Sequence, residues 1–263
     1  MAFKPVLLST GLTGWAQLKS SLSQQKVLFS KNYQTTSNIQ QFRNKFFNMR
    51  SPEDVVGDRR FLLVLLNAYG LGDDIDNTFF IAKVLRDGVA EPSALANRLS
   101  DQRYRELAAD FDFTKNPIQH ISNIDLIEKT ISRFQDRSFE IAVGEHDQDM
   151  RLALSFSRQI RNVAQNASSN NAAWYQILAT PPLREVIQTA LGFPSTLSQL
   201  DIDDQHKRMI DKASGIFGSQ HITDLAKEDV VEQITRRFLV KRQAESTFQN
   251  TSFQTALFLL RGE

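Results

Sequence analysis

Four histidines, His120, His146, His206 and His221, are the side chains of this sequence best suited to proton transfer near neutral pH or to metal ligation. Nucleophilic catalysis would need one of them within reach of a nucleophile and oriented by a third group. His206 falls on the stripe Ile202–His206–Met209–Ala213–Ile216. No second histidine or carboxylate shares that face at i±4, so it reads as a packing residue of a helix. Glu145-His146-Asp147 would hold a metal only with ligands brought from elsewhere, and reads as a solvated turn between helices. The run GDDIDN (72–77) puts three carboxylates and an amide together, but lacks the glycine and the bidentate glutamate of a calcium loop. Asp76 or Asn77 as the N-cap of TFFIAKVLRDG accounts for it.

No H-E-x-x-H, G-x-S-x-G or Walker sequence occurs. Gly70-Leu71-Gly72 lacks a third glycine and follows a helical pattern, so a dinucleotide turn fails on context. The absence of cysteine removes disulfides, thiolate metal sites and cysteine nucleophiles. The sequence therefore assigns no catalytic residue, no metal ligand and no cofactor.

Binding chemistry is concentrated at the two ends. Residues 1–50 contain seven Lys/Arg, among them Lys19, Lys26, Arg43 and Lys45, and no Asp or Glu, whereas the other 213 residues carry 24 basic and 30 acidic side chains. Such a segment can take an anionic surface or an acidic partner, or fold back onto its own acidic body. At the other end, Ser246–Leu260 is fifteen residues without a charge. Phe253, Leu257 and Leu260 fall there at i, i+4 and i+7, the pattern of a helix that inserts into a groove or pairs with another helix. These seven residues are the candidate partner-binding side chains.

The elements that would position them are helices. Ser51–Leu71 reads as one helix, opened by Ser51, Pro52 and Asp54 in a capping box and closed by Gly70. Its run Phe61–Leu66 is apolar on every side, which requires burial on every side. Before it, Trp15, Leu18, Leu22 and Phe29 outline one helix, and Ser37 caps a second with Ile39, Phe42 and Phe46. After it come TFFIAKVLRDG, Pro92–Leu99 and Asp101–Phe111, a proline loop at Lys115–His120, then Asn123–Val143 and Met150–Ala164. QNASSNNAA (165–173) reads as a linker. Thr180 opens a helix that Gly192 closes, Asp201 caps Ile202–Phe217, and Lys227–Ala244 is the last long helix. No stretch shows strand alternation between hairpin turns.

An echo runs through this pattern. DRRFLLVLLNAYGL (58–71) aligns with TPPLREVIQTALGF (180–193), and DLIEKTISRF (125–134) with DVVEQITRRF (229–238), in the same order. The expected architecture is all-α, about a dozen helices, with two related lobes. The segments are a basic helical arm (1–50), a first lobe (51–165), a second lobe (174–245) and an uncharged apolar tail (246–263). No run reaches the eighteen or so apolar residues of a membrane span. MAFKPVLLSTGL has too short an apolar run for a signal peptide, so the chain is expected to be made in the cytoplasm.

SPEDVVGDRRFLLVLLNAYGLGDDIDN, AKVLRDGVAEPSALANRLSDQRYRELAADFDF, FEIAVGEHDQDMRLALSF and ATPPLREVIQTALGFPSTLSQLDID together resemble an uncharacterised, largely alphaproteobacterial family. It is classed as a domain of unknown function and is often encoded among flagellar genes. The resemblance spans nearly the whole chain and implies a flagellar context, cytoplasmic or flagellum-associated. It brings no catalytic residues with it. The expected function is non-enzymatic: protein–protein interaction in flagellar assembly or function, as structural component or assembly factor, with self-association through the terminal helices as a variant. The alternatives are an enzyme with a pocket between the two lobes, and nucleic-acid or anionic-partner binding through the basic arm. The acidic body argues against nucleic acid.

Overall fold

Capping side chains open half of the helices. The computed structural model describes residues 3–114 and 123–261, with side chains through residue 247. Among these residues it has fourteen α-helices, eleven of them seven residues or longer, and no strand. The all-α expectation holds. The chain divides into two compact units, Met1–Val6 with Ser21–Ala142, and Leu7–Ser20 with Val143–Glu263. The first changes of unit fall at Val6 and within helix α1 (Gly11–Ser30), the last near the end of α8 (Ile124–Gly144).

Between them, unit 1 holds α2 (Tyr33–Phe46), α3 (Pro52–Gly57), α4 (Arg59–Tyr69), α5 (Thr78–Asp87), α6 (Leu95–Arg98) and α7 (Gln102–Asp110). The expected single helix over 51–71 is two. Ser51 Oγ accepts from the Asp54 amide at 3.1 Å and Asp54 Oδ2 accepts from the Ser51 amide at 3.0 Å, which closes the capping box. The backbone then turns extended at Asp58 (φ −103°, ψ 98°), whose carboxylate accepts from the amides of Arg60 and Phe61. A second N-cap inside an apolar pattern starts a new helix, because its side chain satisfies the amides that a continuous helix would have bonded internally.

Helix α4 is the centre of this unit. Phe61, Leu62, Val64, Leu65 and Leu66 are buried, with only Leu63 half-buried in the run. Phe42 of α2 stacks on Phe61 with centroids 4.5 Å apart, and Leu126, Ile127, Ile131 and Phe134 of α8 join the same cluster. The helix ends at Gly70 in the left-handed region (φ 74°). There the Leu71 amide bonds Leu66 O at 2.8 Å and the Gly70 amide bonds Asn67 O at 3.1 Å, the paired bonds of a Schellman close.

Unit 2 comprises the first part of α1, α9 (Gln148–Asn166), α10 (Asn170–Ala179), α11 (Pro181–Leu191), α12 (Ile202–Phe217), α13 (Ile222–Leu225) and α14 (Glu228–Arg261). Helix α11 is its counterpart of α4, with Leu183, Val186, Ile187 and Ala190 buried and α14 as its principal neighbour. Gly192 closes it at φ 72°, with Phe193 N bonded to Gln188 O at 3.0 Å and Gly192 N to Thr189 O at 2.8 Å. The two segments aligned in sequence thus end in the same hydrogen-bond pattern.

Several expected boundaries move. Helix α2 starts at Tyr33, so Ser37 lies inside it. Only Leu95–Arg98 of 92–99 is helical. Asn77 occupies the N-cap position of α5 without a side-chain capping bond. The supposed linker 165–173 is largely helix: Ser169 Oγ accepts from the Ala172 amide at 3.1 Å and opens α10, which buries Ala173 and Trp174. Its asparagine-rich start is docked, since Asn170 bonds both Gln220 O and the Ile222 amide. Residues 143–165 belong to unit 2 rather than to the first lobe, because α9 packs on α11, α13 and α14. The apolar tail is no separate segment, as α14 continues through it to Arg261. The expected loop at 115–120 lies outside the described residues.

Candidate partner-binding surface

The acid-free segment is divided between the two units. Each of its four candidate cations meets a carboxylate of its own unit. In unit 2, Lys19 Nζ lies 2.8 Å from Glu232 Oε2, which also receives the Trp15 indole N–H at 3.5 Å. Burial opposes the Glu232 charge, but Lys19, Arg236 and Trp15 outweigh it and hold its pKa below the ordinary glutamate value. In unit 1, Lys26 reaches Asp136 at 2.7 Å, Arg43 binds both oxygens of Glu128, and Lys45 pairs with the capping carboxylate of Asp58. Burial again works against Asp58, and the bonds from Lys45 and the Phe61 and Arg60 amides win, leaving a lowered pKa. These pairs are exposed enough that each contributes at most about 1 kcal/mol, so a partner that displaced one would lose little by it.

Arg43 and Glu128 rim an open groove of about 600 Å³ in unit 1, lined also by Gln40, Asn44, Phe47, Ile124 and Ile127. Phe47 is 47% exposed and Ile124 65%, large apolar surfaces at helix ends. The spacing Ile124–Ile127–Ile131–Phe134 predicts Ile124 inward, but it is the first residue of α8 and stands exposed, while Phe47 lies just past the end of α2. The other three candidates, Phe253, Leu257 and Leu260, have side chains outside the described residues. Their helix is described: among the described side chains of α14, none beyond Leu239 is buried.

A polar cluster at the C-terminal end of α4 escaped sequence reasoning. Tyr69 donates to Asp110 Oδ2 at 2.6 Å, and Lys129 holds both Asp110 oxygens at 2.8 and 2.7 Å. Arg133 binds Glu106 at 2.6 Å with its guanidinium 5.0 Å from the Tyr69 ring centroid. Tyr104 donates to Asp74 at 2.6 Å, and Arg103 joins Asp101 to the carbonyl of Gly70. Burial, then Asp110, pushes the Tyr69 pKa well above the ordinary phenol value, so the hydroxyl is a fixed donor at physiological pH. The cluster braces a helix end. Its acids and bases occupy one another, and a catalytic base would have to be released from such a pair. Sequence offered no signal here, since the partners meet only when α7 and α8 dock on α4.

His206 and His146 stand where their sequence readings put them. His206 is half-buried and stacked on Tyr175 with centroids 4.4 Å apart, His146 is exposed in the turn after α8, and His221 precedes α13. His120 lies outside the described residues. Among the described residues no group of three or more His, Asp or Glu could hold a metal ion, and no helix is long and apolar enough to cross a membrane.

The chain belongs to the family described as Protein of unknown function (DUF1217), whose model matches residues 68–231. Its fold is similar to that of protein AGR_C_984 from Agrobacterium tumefaciens, known from an X-ray crystal structure. The two share 26% identity at a TM-score of 0.73, over 92% of this chain and 98% of that one. No curated protein matches the chain in sequence.

Proposed function

We propose that this member of the DUF1217 family acts without catalysis, by binding another protein during flagellar assembly or function. The observation that carries the reading is the end of α14. The helix spans 34 residues, about 50 Å at 1.5 Å per residue, and its last buried side chain among those described is Leu239. Beyond Glu245 its sequence is uncharged to Leu260 and keeps helical apolar spacing. An uncharged helical segment that runs on past its own described core suits a groove or a partner helix. The flagellar context comes from the sequence resemblance to a family often encoded among flagellar genes. The absence of membrane-spanning helices among the described residues fits either a structural component or an assembly factor.

The test is affinity purification of the tagged protein from its own host, with and without residues 246–263, alongside the motility of the deletion strain. Loss of a specific flagellar partner on truncation, with the helical circular dichroism retained, is the expected result. Unchanged capture by the truncated chain would overturn the reading. Recovery in sheared filaments rather than in cytosol would assign the structural role.

A further inference from the structure

The Schellman-closed ends of α4 and α11 each gather three cations, and in only one of the two sets do carboxylates pair with them. In unit 1, Arg103 donates to Gly70 O, the Arg133 guanidinium lies over Tyr69, and the guanidinium of Arg137 lies against Gly70. Asp101 of the same unit answers Arg103, and Glu106 and Asp110 answer Arg133. In unit 2, Lys212 Nζ lies 3.4 Å from Gly192 O and Arg237 Nε donates to Ala190 O at 3.1 Å. Lys241 Nζ comes within 3.7 Å of where a Cβ on Gly192 would stand. In the alignment of the two long helices Arg133 matches Arg237, and the same offset takes Arg137 to Lys241.

No carboxylate among the described residues pairs with Lys212, Arg237 or Lys241. Helix ends attract cations, but a C-terminus offers only about half a negative charge, too little for three. In unit 1 the same helix-end chemistry recruits three carboxylates in addition. The unit 2 set is also reachable: Gly192 and Lys241 are exposed, Lys212 and Arg237 half-buried, and Phe193 presents a half-buried ring with Lys212 Nζ 4.1 Å from its centroid.

We propose that the C-terminal end of α11, where Lys212, Arg237 and Lys241 converge beside Phe193, binds a carboxylate-bearing segment of a partner protein. Unit 1 supplies the ligand chemistry, since there Arg133, the match of Arg237, is bridged by Glu106 and Asp110, and Arg103 by Asp101. Charge-assisted bonds from two lysines and a guanidinium hold such groups at short range, and the Phe193 ring gives an apolar edge for a neighbouring methylene. The proposal rests on the partner-binding reading only in taking the ligand to be a polypeptide.

The test uses the full chain and a fluorescein-labelled hexaglutamate peptide, with hexaglutamine as the uncharged control. Binding that saturates, and that weakens about tenfold or more in Lys212→Gln/Lys241→Gln, supports the site. Recovery in Lys212→Arg/Lys241→Arg would support it further. Arg237 is left intact because it also ties down the α11 carbonyl. The control double variant Lys207→Gln/Arg208→Gln removes the same charge from exposed positions of α12 and should change little. Equal weakening in the control, no saturable binding by the native chain, or displacement of the peptide by inorganic phosphate at equal concentration would each overturn the proposal. Host partner capture by Lys212→Gln/Lys241→Gln separates the two readings. If capture is undiminished, this site fails while the partner-binding reading stands. If the native chain captures nothing, that reading fails and the peptide titration still decides the site.

Discussion

Lys19 and Glu232 stand 213 residues apart in sequence and 2.8 Å apart in the structure. Their pairing is a by-product of a deeper contact, because Trp15 and Leu18 on the same stretch of α1 are buried in unit 2. The start of the chain is therefore part of a core.

That relationship separates charge from packing. Lys19→Met should lower stability by no more than about 1 kcal/mol, the ceiling of an exposed pair. Leu18→Ala should cost about 2–5 kcal/mol through its cavity. Urea denaturation of the two variants compares them directly. It also warns that removing residues 1–50 would unfold structure before it tested any binding by the arm.

Asp58 does two things at once, capping α4 and pairing with Lys45. Asp58→Asn keeps a competent cap and loses the charge, so it should cost under about 1 kcal/mol. Asp58→Ala loses both, adding about 1 kcal/mol more. Chemical denaturation midpoints that placed the two variants together would show that the cap contributes nothing.

Gly70 and Gly192 share a left-handed conformation but not a neighbourhood. Replacing either with Ala strains the backbone by about 1–2 kcal/mol. A Cβ at Gly70 would also collide with the Arg137 guanidinium, while at Gly192 the nearest atom is 3.7 Å away. The guanidinium is the far end of a flexible side chain and can swing aside, so the two variants should show similar drops in Tm, set by the shared backbone strain.

Acid should weaken the fold in a defined direction. Asp58, Asp101 and Glu232 are each partly buried, which opposes their charge, yet cations and amides lower all three pKa values. A carboxylate whose pKa is depressed in the folded state stabilises fully above its unfolded value, about 4, and loses that contribution as pH falls through the folded value. Stability measured by denaturant should hold from pH 7 to about 5 and then decline, and Asp58→Asn should make the decline shallower.

How far the sequence could be read follows the range of each signal. Ser51 and Asp201 cap helices where their spacing placed them, and Asp101 and Asp147 cap theirs in the same way, because a capping side chain bonds an amide two or three residues on. Gly70 and Gly192 stop helices for an equally local reason. The break at Asp58 was written in the same code, but the apolar run after it read more strongly than a cap within it. The short α10 hid inside a polar stretch, since its place depends on Trp174 donating to Gln220 O and Asn170 bonding Ile222, contacts across 46 and 52 residues.

The sequence by itself determined that this protein is helical, where several of its helices begin or end, and that two core helices close alike. Each of those outcomes is set within about one helical turn, by caps, glycines and apolar period. Tertiary structure alone decided that Lys19, Lys26, Arg43 and Lys45 each meet a carboxylate, and that Arg103 and Arg133 do so while Lys212, Arg237 and Lys241 do not. Charge partners are chosen by which helices dock, and docking is driven by apolar burial that carries no record of the charges at its rim.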